Sequence, residues 1–196
     1  MFDSVWETKK LGELTFECSE RAGKLANNLM VYGVDRQKGL TSEPRYTSEK
    51  LDRYKVIKPG MFAYNPMRLN IGSIGYCSNN HTEGLVSPDY IVFGCEEGVL
   101  DPDFLNYVIK GSKWVQWTSS AGVGSVRHRI YYKELATMPL TVPPYNQQIE
   151  IVKLLYILDN KITLNRQINQ TLPHPSAFPI WELSRANASA APRPPH

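Results

Sequence analysis

Up to about residue 144, apolar residues come in short runs broken by Gly, Pro and Asn. Residues 11–16, 54–57, 61–64, 71–77, 90–94 and 138–142 are each of strand length and rich in β-branched or aromatic side chains, which predicts strands of a mixed or antiparallel sheet. One good helix interrupts them. Asp101 offers an N-cap side chain, Pro102 occupies the first helical position, and Phe104, Leu105, Val108, Ile109 and Trp114 fall on one face. A shorter helical turn is predicted over residues 47–53, with Leu51 and Tyr54 turned inward. The fold class is therefore α+β, a globular sheet-and-helix domain over residues 1–144.

From residue 145 the period changes. Between Pro143-Pro144 and Pro173 there is neither Gly nor Pro, and apolar residues take helical spacing. Ile151, Leu155, Leu158 and Ile162 step by four, three and four, which is the seam of a coiled coil, and Asn165, Asn169 and Leu172 continue the register. A one-sided helix over residues 145–172 spans roughly 40 Å. A small sheet domain cannot cover that length, so its stripe is expected to meet a helix of a second chain. Polar Asn at two seam positions suits a contact that must choose a register. Residues 173–196 carry six prolines and five alanines without periodicity, so this segment is expected to be a disordered tail of frameshift or artificial origin.

Charge complicates any functional reading. The chain has 22 Lys+Arg against 19 Asp+Glu, a formal net charge of +3, whereas nucleic-acid binders usually carry a basic excess. No apolar stretch approaches the roughly 20 residues that cross a bilayer, and residues 1–10 hold no signal-peptide core. A cytoplasmic location without membrane contact is the expectation. Cys18, Cys77 and Cys95 are odd in number and widely spaced, and are read as small buried hydrophobes rather than disulfide or zinc ligands.

Catalytic constellations are sparse. His81 and His128 stand apart from any ligand partner at metal spacing, and His174 and His196 lie in the tail. Gly122-Val123-Gly124-Ser125 lacks the lysine of a phosphate loop. Asn65-Pro66-Met67-Arg68 approximates the Asn-Pro-Pro-aromatic tetrapeptide by which amino-methyltransferases hold adenine, with Met67 and Arg68 in place of the second proline and the aromatic. An adenine methyltransferase fragment built on Asn65-Pro66 is thus the alternative from the enzyme class. The recognition reading is better supplied: Ser125, Arg127, His128 and Arg129 follow a glycine turn, Arg68 and Asn70 add donors for base edges, and Lys24, Arg36, Lys38 and Arg45 sit in a polar stretch read as loops. A third possibility is a scaffold whose helix is its whole function.

Several short motifs occur in an order that resembles a known family. They are Trp6 with Leu11-Gly12-Glu13; Tyr54-Lys55-Val56-Ile57-Lys58-Pro59-Gly60 leading into Phe62-Ala63-Tyr64-Asn65-Pro66-Met67-Arg68; and Ile71-Gly72-Ser73-Ile74-Gly75. Gly84-Leu85-Val86-Ser87-Pro88-Asp89-Tyr90, Phe104-Leu105 with Tyr107, the Gly122 turn with Arg127, and Met138-Pro139-Leu140 through Gln147-Gln148-Ile149 to Leu158-Asp159 follow. Over residues 6–172 the chain resembles the specificity subunit of type I restriction-modification systems, in a half-length form with one target-recognition domain and one spacer helix.

That resemblance implies a non-catalytic subunit that selects double-stranded DNA. A modification subunit would methylate adenine and an endonuclease/translocase subunit would cleave. S-adenosylmethionine, ATP and magnesium would then be held by the partner subunits, and none by this chain. Full-length members carry two recognition domains held apart by two helices, so a half-length chain is expected to homodimerise through its helix and read an inverted-repeat target. Set beside the near-even charge, the resemblance implies weak DNA affinity for the isolated chain.

Overall fold

The computed structural model describes residues 5–44, 46–120 and 129–171. The tail over 173–196 and the predicted site residues Arg45, Ser125, Arg127, His128 and Leu172 lie outside the described residues. The chain divides into two compact units, Met1–Lys153 and Leu154–His196.

The first unit opens with strand β1 (Glu7–Lys10), a 3-10 helix (Leu11–Glu13), β2 (Thr15–Cys18), a second 3-10 helix (Gly23–Asn28) and β3 (Met30–Val31). A hairpin of β4 (Gly33–Asp35) and β5 (Gly39–Thr41) follows, then β6 (Lys55–Ile57), β7 (Phe62–Tyr64), a third 3-10 helix (Leu69–Ile71), β8 (Ile74–Tyr76), β9 (Gly84–Val86) and β10 (Ile91–Cys95). Helices α1 (Pro102–Val108), α2 (Ser112–Ser120) and α3 (Tyr132–Leu135) precede β11 (Pro139–Val142), and α4 runs Tyr145–Thr171. The strands form a four-stranded sheet β2-β10-β7-β8, a three-stranded sheet β3-β9-β6, and the pairs β1-β11 and β4-β5. All pairings are antiparallel except β3 with β9.

The central strands are buried on both faces, which is why they read as unbroken apolar runs. On β7 and β10, Phe62, Tyr64, Ile91 and Phe93 enter the main core with Leu11, Leu105 and Leu135, while Ala63 and Val92 face a second cluster holding Tyr32, Leu40, Ile57 and Cys77. The Phe62 ring stacks on Phe93 at 5.1 Å and on Tyr76 at 4.8 Å. Cys77 is buried and Cys18 and Cys95 are half-buried free thiols; burial pushes the Cys77 thiol up to about 11 and, helped by Asp101, that of Cys95 up to about 12.

Some predicted elements differ from the observed ones. Residues 11–16 are not one strand: Leu11 and Gly12 donate their N–H groups to Met138 and Ala136 at 2.8 and 2.9 Å, so the chain bends into a 3-10 turn that buries Leu11 and Leu14 before β2 begins. In the same way, Ile71 belongs to a 3-10 helix and only residues 74–76 of the 71–77 run are strand. Trp114 is buried on α2 rather than on α1, because α1 stops at Val108 and Gly111, a poor helix former, lies between them. The predicted helical turn over 47–53 is instead a β-turn closed by the Tyr54 N–H on Leu51 O at 2.9 Å, although both side chains do turn inward.

The start of α4 is fixed by a residue that the sequence disguises as an ordinary polar helix position. Gln148 is 1% exposed. Its Oε1 accepts the Asp101 N–H at 2.8 Å, and its Nε2 donates to Val99 O and Pro143 O, each at 3.0 Å. One amide thus ties the helix to the loop that starts α1. Replacing Gln148 with alanine strands a buried N–H and two carbonyls, and is expected to cost about 2–3 kcal/mol in a urea melt; Asn146→Ala, at an exposed position of the same turn, should leave the midpoint unchanged.

Candidate nucleic-acid interface

The hairpin β4-β5 is short, and its polar sequence hides it. Its three-residue tip, Arg36-Gln37-Lys38, is exposed. The Asp35 carboxylate braces the tip by accepting the N–H groups of Gln37 (2.8 Å) and Lys38 (3.1 Å), and Gly39 completes the reversal with φ +71, a conformation L side chains avoid. The stem is anchored in the core. Leu40 is buried, and a Cβ on Gly75 of β8 would lie 2.8 Å from the Leu40 nitrogen, so only glycine lets the hairpin backbone come this close.

Beside this hairpin lies a cleft of about 890 Å³ onto which Arg21, Arg36, Lys38, Lys50, Arg53 and Arg68 converge, against the carboxylates Asp35, Glu43 and Asp89. The contributing segments are far apart in sequence and meet through tertiary pairing. Arg21 forms an isolated bridge to Lys55 on β6. The Ser48 N–H donates to the buried Tyr54 hydroxyl at 2.9 Å, which holds the strip bearing Lys50 and Arg53. Arg68 follows the Asn65 corner, where Asn65 Oδ1 accepts the Met67 N–H at 2.9 Å and Asn65 O accepts the Arg68 N–H at 2.9 Å. Lys55 Nζ donates to Tyr90 O at 2.6 Å, and burial holds its pKa below the usual lysine value, with Arg21 adding to the depression and Glu17 opposing it.

A second concavity of about 660 Å³ adjoins the first: Arg36, Lys38 and Ile71 line both. Its other polar walls include Asn70, Ser78, His81, Asn106 and Lys110, and no carboxylate lines it among the described residues.

The predicted site residues therefore separate. Arg36 and Arg68 meet in the cleft, and Asn70 lines the neighbouring concavity. Lys24 is exposed on the 3-10 helix Gly23–Asn28 and lines neither, and that stretch is not the loop expected. Arg129 is exposed and donates from Nη1 to the Tyr131 hydroxyl at 3.3 Å; that bond, with the charges of Tyr131 and Asp89, raises its pKa further. Arg21, Lys50 and Arg53 were missed because none stands in a locally basic run. On α4, Ile151 is half-buried against the core, Leu155 is half-buried, and Leu158, Ile162, Asn165 and Asn169 are exposed.

Catalytic geometry finds little here. The Asn65 side-chain oxygen that a methyltransferase would offer to adenine accepts the Met67 N–H at 2.9 Å. His81 shares a hydrogen bond of 2.9 Å with Ser78 Oγ and meets Tyr32 edge-on, and the described residues contain no group of three metal ligands. Among them, too, no helix is long and apolar enough to cross a membrane.

The fold and the cation-lined cleft agree with what sequence comparison returns: the type I restriction modification DNA specificity domain family matches residues 4–174, and the chain belongs to that family. A curated relative, the type I restriction enzyme HindI specificity subunit of Haemophilus influenzae, is 23% identical over 95% of this chain but only 44% of its own length. Specificity subunits are non-catalytic. In fold, the chain is similar to the HsdS subunit of Thermoanaerobacter tengcongensis, with TM-score 0.62 and 17% identity over 89% of this chain and 51% of the other. It is equally similar to a chain of a type I R-M system, TM-score 0.62 and 17% identity over 91% and 53%, whose structure concerns complex assembly and conformational transition. The chain thus spans about half the length of the relatives it matches.

Proposed function

We propose that this protein is a sequence-specific double-stranded DNA recognition subunit of a type I restriction-modification complex, and that the duplex lies along the cleft between the β4-β5 hairpin and the Arg53 strip. The observation that carries this reading is the convergence of six cations on one cleft of a chain whose overall charge is only +3. Domain 1–144 supplies recognition and the helix over 145–172 supplies assembly. Two chains pair through Ile151, Leu155, Leu158, Ile162, Asn165, Asn169 and Leu172 and read an inverted-repeat target. A modification subunit brings S-adenosylmethionine to the selected adenine, an endonuclease/translocase subunit brings ATP and magnesium, and the assembly works in the cytoplasm. Arg45, Ser125, Arg127, His128 and Arg129 are further candidates for DNA contact on the strength of their sequence.

Fluorescence anisotropy on labelled duplexes, with and without the cognate modification subunit, tests the reading. Binding should be weak for the chain alone, reinforced by the partner, and lost steeply as salt rises, since cations on phosphates release counterions. A salt-independent signal, or no preference for DNA even in the presence of the partner, would overturn it.

A further inference from the structure

We propose that the tip of the β4-β5 hairpin is the base-reading element, with Gln37 and Arg36 determining part of the recognised sequence; this rests on the DNA reading above. The tip forms a ridge. Arg36 and Lys38 line the cleft on one side and the adjoining concavity on the other, and Ile71 of the neighbouring 3-10 helix completes the divide. A two-stranded ribbon is among the protein elements that the roughly 12 Å major groove admits. Cations stand on both flanks of this one, Arg53 and Arg68 on the cleft side and Lys110 on the other, where the two phosphate strands bordering a groove would run.

The chemistry at the tip suits base edges. Glutamine pairs in a bidentate manner with adenine N6 and N7, and arginine with guanine O6 and N7. Gln37 is exposed between two cations and lines the second concavity, whose polar walls include Asn70 and Asn106 and, among the described residues, no carboxylate that would repel DNA. The tip is also held in advance. Asp35 fixes the Gln37 and Lys38 backbone, and the stem is sunk against β8, so little ordering entropy is lost when a base is met.

The test is selection from a random duplex library by the full chain with its cognate modification subunit, using wild type, Gln37→Ala, Arg36→Lys and Lys50→Ala. Arg36→Lys keeps the charge and removes the two-pronged geometry. Each tip variant is expected to relax preference at one base position by about ten- to a hundredfold, with the salt slope unchanged. Lys50→Ala should instead weaken all sequences alike and lower the slope by about 0.9. If both tip variants select the wild-type sequence with undiminished preference, the hairpin does not read bases. If the wild type enriches no sequence at all, the DNA reading fails and takes this inference with it.

Discussion

A chain in which Arg21, Arg53 and Arg68 are all replaced by alanine should bind its DNA target about a hundred- to a thousandfold more weakly, and the slope of log affinity against log salt should fall by about 2.7. The three side chains come from the segment before the Gly23–Asn28 helix, from the turn before β6, and from the corner after β7, yet all face one cleft. Each is exposed, so none is needed to fill the core and the variant should melt near the wild-type temperature. A charge-assisted contact is worth about 1.5–3 kcal/mol when desolvated; in an open cleft each loss falls below that range, and Arg21 and Arg53 sit on adjacent paired segments, so their losses are not independent and the three together cost about 3–4 kcal/mol. The control is a triple substitution of Lys9, Lys24 and Lys133, which removes the same charge but leaves the cleft intact. If both triple variants lose affinity equally, the effect is one of net charge and the cleft is not the binding surface. If neither does, the duplex lies elsewhere.

That contrast bears on what the sequence could reveal. Elements whose stability is local were legible: Asp101 does cap α1, accepting the Phe104 N–H at 2.8 Å, and α4 follows from 27 residues of unbroken helical spacing. The apolar runs marked β7 and β10 because burial on two faces leaves no polar position to confuse them, and β6 and β11 because their buried β-branched and aliphatic residues stand beside turn-forming prolines. The hairpin β4-β5, the parallel strand β3 and β9 were not among the predicted strands; each is two or three residues long and is defined by its pairing with another segment. The same holds for the site. Reading for local basic density favoured the Arg127-His128-Arg129 cluster, whereas the cleft is assembled from single cations spread between residues 21 and 68. Their convergence depends on contacts such as the Arg21–Lys55 bridge, which no spacing rule encodes. Gln148 was legible only as part of a motif, and its tethering role was not, for the converse reason: its three partners are backbone groups outside its own helix.

In the proposed homodimer, glutamate at both Leu158 and Ile162 should raise the dissociation constant more than a thousandfold in sedimentation velocity, leaving a monomer of normal fold; a wild-type chain that sediments as a monomer overturns the proposal. Leu158 is 53% and Ile162 47% exposed in the single chain, so neither supports the domain, and each is expected to regain its burial only against a second helix. Burying one such side chain is worth about 1.5–3 kcal/mol, and a two-fold assembly loses four of them at once. It must also desolvate four carboxylates or exclude them. The helix carries its own control. Ile157 and Leu164 are as exposed as the seam residues, but in the four-three register they fall about a third of a turn away from it, on the outer side of a two-stranded coil. Glutamate at those two positions should leave the dimer intact. Substitutions of this kind test the seam better than removal of the whole helix, because truncation before Pro143 also deletes Gln148 and strands the Asp101 N–H and the Val99 carbonyl that it satisfies. If the outer pair breaks the dimer and the seam pair does not, the helices meet through the other face, and the register read from Ile151, Leu155, Leu158 and Ile162 is the wrong one.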